Sequence, residues 1–116
     1  MFVQVGDVYL CDFSMSANGS MQNGVRPCII LDNNMAGAYS PCIHCVPLTS
    51  KDKRDFFMHY RLMNNAITGL NEQSIVLCEQ YTLIDKSQLH ERIGQITKFD
   101  LLHIIELCKK NFPFTY

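Results

Sequence analysis

The stretch Arg26-Pro-Cys-Ile-Ile-Leu31 decides the fold class of this chain. After its proline it is a short, unbroken apolar run, and its branched residues favour a β-strand over a helix. Proline is accepted only near the start of a strand, and it biases Arg26 toward extended backbone. Gly24 precedes the run, and residues 32–37, Asp-Asn-Asn-Met-Ala-Gly, have the composition of a turn. We therefore predict a strand from Arg26 to Leu31, between a loop and a turn.

Similar short apolar runs predict further strands on both sides of this one. Their predicted ranges are residues 8–13, 43–48, 56–62 and 74–81. Residues 14–24 form an uncharged connection of small, polar and glycine residues, and loops of this length are usually functional or mobile. Residues 51–55 are charged, and we expect them to form an exposed loop. Strands therefore dominate the first two thirds of the chain.

The C-terminal third has a helical period instead. Asp85 with Gln88 is a variant of the capping box that begins a short helix, and Gly94 either ends that helix or starts a short strand. Thr97 with Asp100 repeats the capping pattern. Apolar residues at i, i+3, i+4 and i+7 then form one helix face, namely Leu101, Ile104, Ile105 and Cys108. For 116 residues, this order predicts a single-domain, mainly β (α+β) fold, a small β-barrel with a packed C-terminal helix.

Composition narrows the classes of function. Ten basic and eleven acidic residues give a net charge of −1, whereas a protein that coats a nucleic-acid duplex should be far more basic. Any contact with nucleic acid is therefore expected to be local. The N-terminus lacks a secretory pattern and no apolar run is long enough for a membrane span, so we expect a cytoplasmic protein. The six cysteines are expected to stay reduced and to pack as small hydrophobes.

One segment, Cys42-Ile-His-Cys45, has the spacing of a metal motif. A structural zinc site needs four ligands, usually from two such pairs, and the sequence has no second Cys-x-x-Cys. In a strand, moreover, residues three apart point to opposite faces. We therefore expect no metal site here. His90 and His103 are expected in helices, as structural or solvated side chains on polar faces.

Four segments, in this order, resemble the MazF/PemK family of toxins. They are Gly6-Asp-Val-Tyr9; Gly19-Ser-Met-Gln-Asn-Gly-Val-Arg-Pro27; Tyr39-Ser-Pro41 with Val46-Pro-Leu-Thr49; and Ser74-Ile-Val-Leu-Cys-Glu-Gln80 with Ile84-Asp-Lys86. Each segment alone is unspecific, but the ordered set at matching spacing is specific, and with the residues between it covers most of the chain.

The resemblance implies a barrel of the SH3-like, CcdB-like type that forms a homodimer. It also implies a toxin of a type II toxin–antitoxin system that cuts single-stranded mRNA and thereby inhibits growth. Cleavage would need no metal or other cofactor, and would leave 2′,3′-cyclic phosphate and 5′-hydroxyl ends. A cognate antitoxin would cover the RNA groove, and any contact with DNA would come through that antitoxin.

By the same resemblance, the catalytic residues are Arg26 of Val-Arg-Pro and Thr49 of Pro-Leu-Thr. Attack of the RNA 2′-hydroxyl on phosphorus builds negative charge, which the planar fork of an arginine can meet at two oxygens. Thr49 can donate one more hydrogen bond. The base that accepts the 2′-hydroxyl proton is not identified by the sequence. His59 is a candidate by residue type, but within the resemblance it lies on a strand and is not the expected base.

Six positions are predicted to contact RNA, namely Gln22, Asn23, Gly24, Ser50, Glu79 and Gln80. The loop amides of Gln22 and Asn23 can bond base edges, although the dipeptide Asn-Gly is also explained by turn chemistry alone. The resemblance places the pair Glu79-Gln80 near the dimer interface and the RNA; otherwise it is a polar strand end.

Two positions depart from the family pattern. Met21 stands where the family usually has an acidic residue, which bears on RNA recognition. Thr82 stands where an arginine is usual, on the dimer side of the site. Three other functions therefore stay open: a CcdB-like poison of DNA gyrase, a non-catalytic SH3-like interaction module, and a degenerate toxin that only binds its antitoxin. The absence of tryptophan argues against the interaction module, and the pair Arg26 and Thr49 favours the nuclease.

Overall fold

The computed structural model describes residues 2–14, 24–50, 55–62 and 67–113. This part of the chain contains strands β1 (Asp7–Asp12), β2 (Val25–Ile30), β3 (Cys42–Thr49), β4 (His59–Leu62), β5 (Ser74–Leu77), β6 (Thr82–Asp85) and β7 (Leu89–Gln95). It also contains helices α1 (Asn34–Tyr39) and α2 (Lys98–Lys109), and 3₁₀ helices at Cys78–Gln80 and Lys86–Gln88. The predicted mainly β fold with a C-terminal helix is confirmed.

The strands form one antiparallel sheet with β3 at its centre. The hydrogen-bonded order is β4-β5-β3-β2-β1-β7, and β6 also pairs with β3. Along one edge of β3, its first half pairs with β6 and its last two residues pair with β5. One long strand thus serves two short partners on the same side. Among the described strands, no pairing joins the two ends of the path, β4 and β7.

Both faces of the central strands are buried, which explains why their sequences are almost continuously apolar. Alternate residues of β1, β2 and β3 contribute to two hydrophobic cores. The first core contains Val8, Ile29, Val46, Leu48, Ile104 and Cys108. The second core contains Tyr9, Cys11, Cys28, Ile30, Cys45 and Ile84. Helix α2 covers the first core, because two of the residues in that core belong to it.

Helix α2 begins where the capping pattern predicts. The side chain of Thr97 accepts a hydrogen bond from the backbone N–H of Asp100 at 3.2 Å. Leu101, Ile104 and Cys108 pack against the first core as predicted, and Leu107 joins them. Among the described residues, no helix is long and apolar enough to cross a membrane.

Three predicted elements differ from the structure. Residues 32–37, expected to be a turn, include the start of α1, and Val5 donates its backbone N–H to the Asn34 side chain there at 2.8 Å. The strand predicted for residues 56–62 begins only at His59, because a turn closed by a bond from His59 N to Phe56 O (2.9 Å) precedes it. The strand predicted for residues 74–81 ends at Leu77, where a 3₁₀ helix follows.

The helix predicted after Asp85 is also shorter than expected. The capping box of Asp85 and Gln88 is present, but it caps a 3₁₀ helix of three residues. The chain then enters β7, which contains Gly94, so the strand alternative for this glycine is the correct one. His90 lies exposed on β7, because that segment pairs with β1, and its prediction as a helical residue was wrong. His103 lies exposed on α2 as predicted.

All six cysteines are free thiols. Cys42 is half-buried and the other five are buried, as their apolar surroundings predict. The described residues contain no group of three or more His, Cys, Asp or Glu side chains that could hold a metal ion.

Candidate active site

Arg26 and Thr49 lie on neighbouring strands. Arg26 is the second residue of β2 and is half-buried, and Thr49 is the last residue of β3, with only 2% of its surface exposed. The register of these strands pairs Cys28 with Pro47. Extended by two residues, it places Arg26 across from Thr49. Directly opposed residues on antiparallel strands share a face and have Cβ atoms about 5 Å apart, so the register brings the two predicted catalytic residues together.

The same row continues on the other side of Thr49. Thr49 pairs with Ile75 of β5, and Ile75 pairs with Arg61 of β4. His59 lies two residues before Arg61 on β4 and therefore shares its face. Neighbouring strands are about 4.8 Å apart, which places β4 roughly 10 Å from Thr49. One face of the sheet thus carries Arg26, Thr49, His59 and Arg61.

His59 forms an ion pair with a residue predicted to contact RNA. Its Nε2 lies 2.8 Å from Oε2 of Glu79, and the two side chains are 12% and 31% exposed. The remaining polar atoms of the pair, His59 Nδ1 and Glu79 Oε1, are buried and have no hydrogen-bond partner within the described ranges. Buried polar atoms are nearly always hydrogen-bonded in folded proteins. The pair is therefore more than a surface salt bridge.

The imidazole of His59 is oriented for proton transfer. When its Nε2–H donates to the Glu79 carboxylate, the lone pair of the neutral ring is on Nδ1. The ring also makes an edge-to-face contact with Phe56, at 5.0 Å between centroids. A carboxylate that fixes one ring nitrogen is the arrangement that prepares a histidine to act as a base.

A pocket opens beside this histidine. Its lining residues are Asp55, Phe56, His59, Arg61 and Ile75. At its rim, Nη2 of Arg61 donates to Oδ1 of Asp55 at 2.9 Å, and the two side chains are 48% and 94% exposed. The pocket therefore combines an aromatic ring, a guanidinium and a carboxylate close to the row that contains Thr49.

The structure places four of the six residues predicted to contact RNA. Gly24 immediately precedes β2, with φ at 77°, and accepts a hydrogen bond from Phe13 N at 2.9 Å. Ser50 is exposed directly after β3. Glu79 and Gln80 lie in the 3₁₀ helix after β5. Gln22 and Asn23 lie outside the described residues, as does Met21.

Thr82 and Cys78 bound the segment that contains Glu79. Thr82 begins β6 and pairs with Cys45. A hydrogen bond with Cys108, together with burial, raises the pKa of the Cys78 thiol. The side chain of Asn111 donates to the backbone oxygens of both cysteines, at 2.8 Å and 3.1 Å. Cys78 therefore remains a neutral thiol that anchors the 3₁₀ helix to α2.

Two parts of the site were not predicted from the sequence: the ion pair of His59 with Glu79, and the pocket around Arg61 with Asp55. Twenty residues separate the two members of the ion pair, so no short motif marks it. The available signal was the pairing of β4 with β5, two strands whose predicted ranges contain His59 and lead to Glu79.

Comparisons with known proteins point to one family. A family model described as the PemK-like, MazF-like toxin of type II toxin–antitoxin systems matches residues 4–110. The endoribonuclease MazF of Staphylococcus saprophyticus is 32% identical over 92 residues, which cover 79% of this chain and 76% of that protein.

Solved structures agree on the fold. MazF of Deinococcus radiodurans has a TM-score of 0.81 at 17% identity, with 95% of this chain and 96% of that chain covered. An endoribonuclease in complex with its cognate antitoxin, from a mycobacterial species, has a TM-score of 0.76 at 20% identity, with coverage of 97% and 96%.

Proposed function

This chain belongs to the family of PemK-like, MazF-like toxins of type II toxin–antitoxin systems, and on that premise we propose that it is an endoribonuclease that cuts single-stranded RNA with Arg26 and Thr49. The staphylococcal relative, named an endoribonuclease, supports the activity. The register that places Arg26 across from Thr49 is the observation that carries the assignment of these two residues. A CcdB-like gyrase poison is not favoured, because both the family and this relative point to a nuclease.

Arg26 and Thr49 act on the scissile phosphate. The nucleophile is the 2′-hydroxyl of the RNA, so the protein has to hold ribose and phosphate in line and stabilise the growing charge. The guanidinium of Arg26 bonds the phosphoryl oxygens, and the Thr49 hydroxyl donates one further hydrogen bond. Because Thr49 is buried at the end of β3, its hydroxyl has a fixed position.

His59 and Glu79 handle the proton. A guanidinium remains charged in proteins, so Arg26 is unsuited to be the base. His59 accepts the 2′-hydroxyl proton on Nδ1, and Glu79, at 2.8 Å from Nε2, stabilises the imidazolium that forms. The P–O5′ bond breaks as the new O2′–P bond forms. The products are a 2′,3′-cyclic phosphate and a 5′-hydroxyl end.

The protein works as a single-domain toxin, residues 1–116, in the cytoplasm. It forms a homodimer, and a cognate antitoxin covers the RNA site. The mycobacterial neighbour solved with its antitoxin supports such a partner. Contact with DNA occurs only through the antitoxin.

The test is cleavage of a long single-stranded RNA by the purified protein in EDTA, with Arg26→Ala and Thr49→Val alongside. Valine keeps the volume of Thr49 and removes its hydroxyl. We expect discrete fragments with cyclic phosphate ends, and a rate lower by on the order of a hundredfold in each folded variant. A folded wild-type protein that leaves the RNA intact would contradict the proposal and point to a degenerate toxin.

A further inference from the structure

The pocket beside His59 has a polar rim that the cleavage chemistry does not use. Asp55 and Arg61 form that rim as an ion pair, with 2.9 Å between Oδ1 and Nη2. Phe56 borders the same pocket and is 44% exposed. Exposed ion pairs contribute little to stability. A carboxylate and a guanidinium beside an accessible aromatic ring are the groups with which proteins bind single-stranded bases, by stacking and by hydrogen bonds to base edges.

The four bases differ in what they offer to such a pair. Guanine presents two adjacent donors, N1–H and its N2 amino group, to both oxygens of a carboxylate. It also presents two adjacent acceptors, O6 and N7, to the fork of an arginine. None of the other three bases offers two adjacent donors. Guanine alone therefore engages both members of the ion pair with two bonds each.

We propose that the pocket lined by Asp55, Phe56, Arg61 and Ile75 is a base subsite that selects a guanine of the single-stranded RNA substrate. Asp55 accepts from N1–H and N2–H, Arg61 donates to O6 and N7, and Phe56 contacts the face of the base. Guanine carries these two edges side by side, which matches a carboxylate and a guanidinium that are already in contact.

The position of the pocket fits one nucleotide next to the scissile phosphate. Ile75, which lines the pocket, pairs directly with Thr49, and Arg61 lies one strand further away. Two strand spacings amount to about 10 Å, a distance that a single nucleotide spans from its phosphate to its base edge. This inference rests on the proposed function, because it assumes that Thr49 holds the scissile phosphate.

The experiment is cleavage of an RNA library with randomised sequence, followed by sequencing of the 5′-hydroxyl ends. Wild-type protein is compared with Asp55→Asn, Arg61→Gln and the matched control Glu106→Gln. The control neutralises another exposed carboxylate in an ion pair, with Lys109 at 2.8 Å on α2. We expect a preference for guanine at one position of the cleaved sequence. It should fall about tenfold in the Asp55 and Arg61 variants and persist in the control, with the other positions unchanged.

A second measurement does not depend on cleavage. Guanosine 5′-monophosphate is titrated against inosine 5′-monophosphate, which lacks the N2 amino group, and binding is followed by NMR at the amides of His59 and Ile75. Guanosine should bind more tightly to the wild-type protein, and Asp55→Asn should remove the difference. Cleavage without a guanine preference, or equal binding of the two nucleotides, would overturn the subsite while leaving the nuclease intact. Absence of cleavage with selective guanosine binding would overturn the proposed function alone.

Discussion

At the scale of single residues, His59 is the side chain whose role depends most on one neighbour. Its Nε2 is 2.8 Å from Glu79, while its Nδ1 is buried without a partner among the described residues. We expect His59→Gln, which can still bond Glu79 but cannot take up a proton, to lower the single-turnover cleavage rate by roughly a hundredfold or more. Affinity for uncleaved RNA should change little, because the lost interaction belongs to the transition state.

Glu79→Gln is the companion variant. It keeps the hydrogen bond and removes the charge that stabilises the imidazolium, so we expect a smaller loss of rate than in His59→Gln. Circular dichroism establishes that both variants are folded. A His59→Gln protein that cleaves at the parental rate would assign the pair a structural role.

At the scale of elements, two glycines allow β7 to pack against a neighbouring segment. A Cβ on Gly94 would lie 2.3 Å from Ile67 O, and a Cβ on Gly69 would lie 2.0 Å from Ile93 O. The backbones are in contact here, and Gln95 N donates to Ile67 O at 2.8 Å. Backbone atoms cannot rotate away as a flexible side chain can, so the sheet edge would have to move.

We therefore expect Gly94→Ala to lower the free energy of unfolding by about 3 kcal/mol or more. Gly24→Ala is the control: a Cβ at this position would have no described atom within 4 Å beyond its chain neighbours, although φ is +77°. This variant should cost only about 1 kcal/mol, from backbone strain. Urea denaturation measures both values, and equal losses would show that the close approach at Gly94 is unimportant.

At the scale of the whole molecule, Tyr60 joins the sheet to the C-terminal helix. Its hydroxyl donates to Asp100 in the first turn of α2. Burial, together with this bond and the charge of Asp100, raises the pKa of Tyr60 to about 12. The neutral phenol therefore stabilises the fold fully below about pH 10, the unfolded value, and this contribution is lost as the pH rises toward 12.

Tyr60→Phe should lower the free energy of unfolding by about 1 kcal/mol at neutral pH. The stability difference from the wild-type protein should shrink as the pH rises from about 10 toward 12. Urea denaturation across this range measures that difference, and the other tyrosines cancel because both proteins contain them. Parallel pH profiles for the two proteins would contradict the assigned link.

The sequence by itself determined the local elements whose signals are periodic or capped. The apolar runs predicted strands, and Thr97 with Asp100 predicted the start of α2, because alternation and capping depend on residues close in the chain. The ordered motifs around Arg26 and Thr49 predicted the family. Signals failed where turn composition and helix propensity overlap, as at residues 32–37.

Only the tertiary structure decided which side chains meet. A shift of one residue in register would turn Arg26 and Thr49 to opposite faces, and the pairing of Cys28 with Pro47 sets that register. The contact of His59 with Glu79, and the pocket formed around Arg61, depend likewise on how β4 pairs with β5. Register is fixed by burial of both sheet faces across the whole molecule, which is why no local pattern in the sequence reveals these contacts.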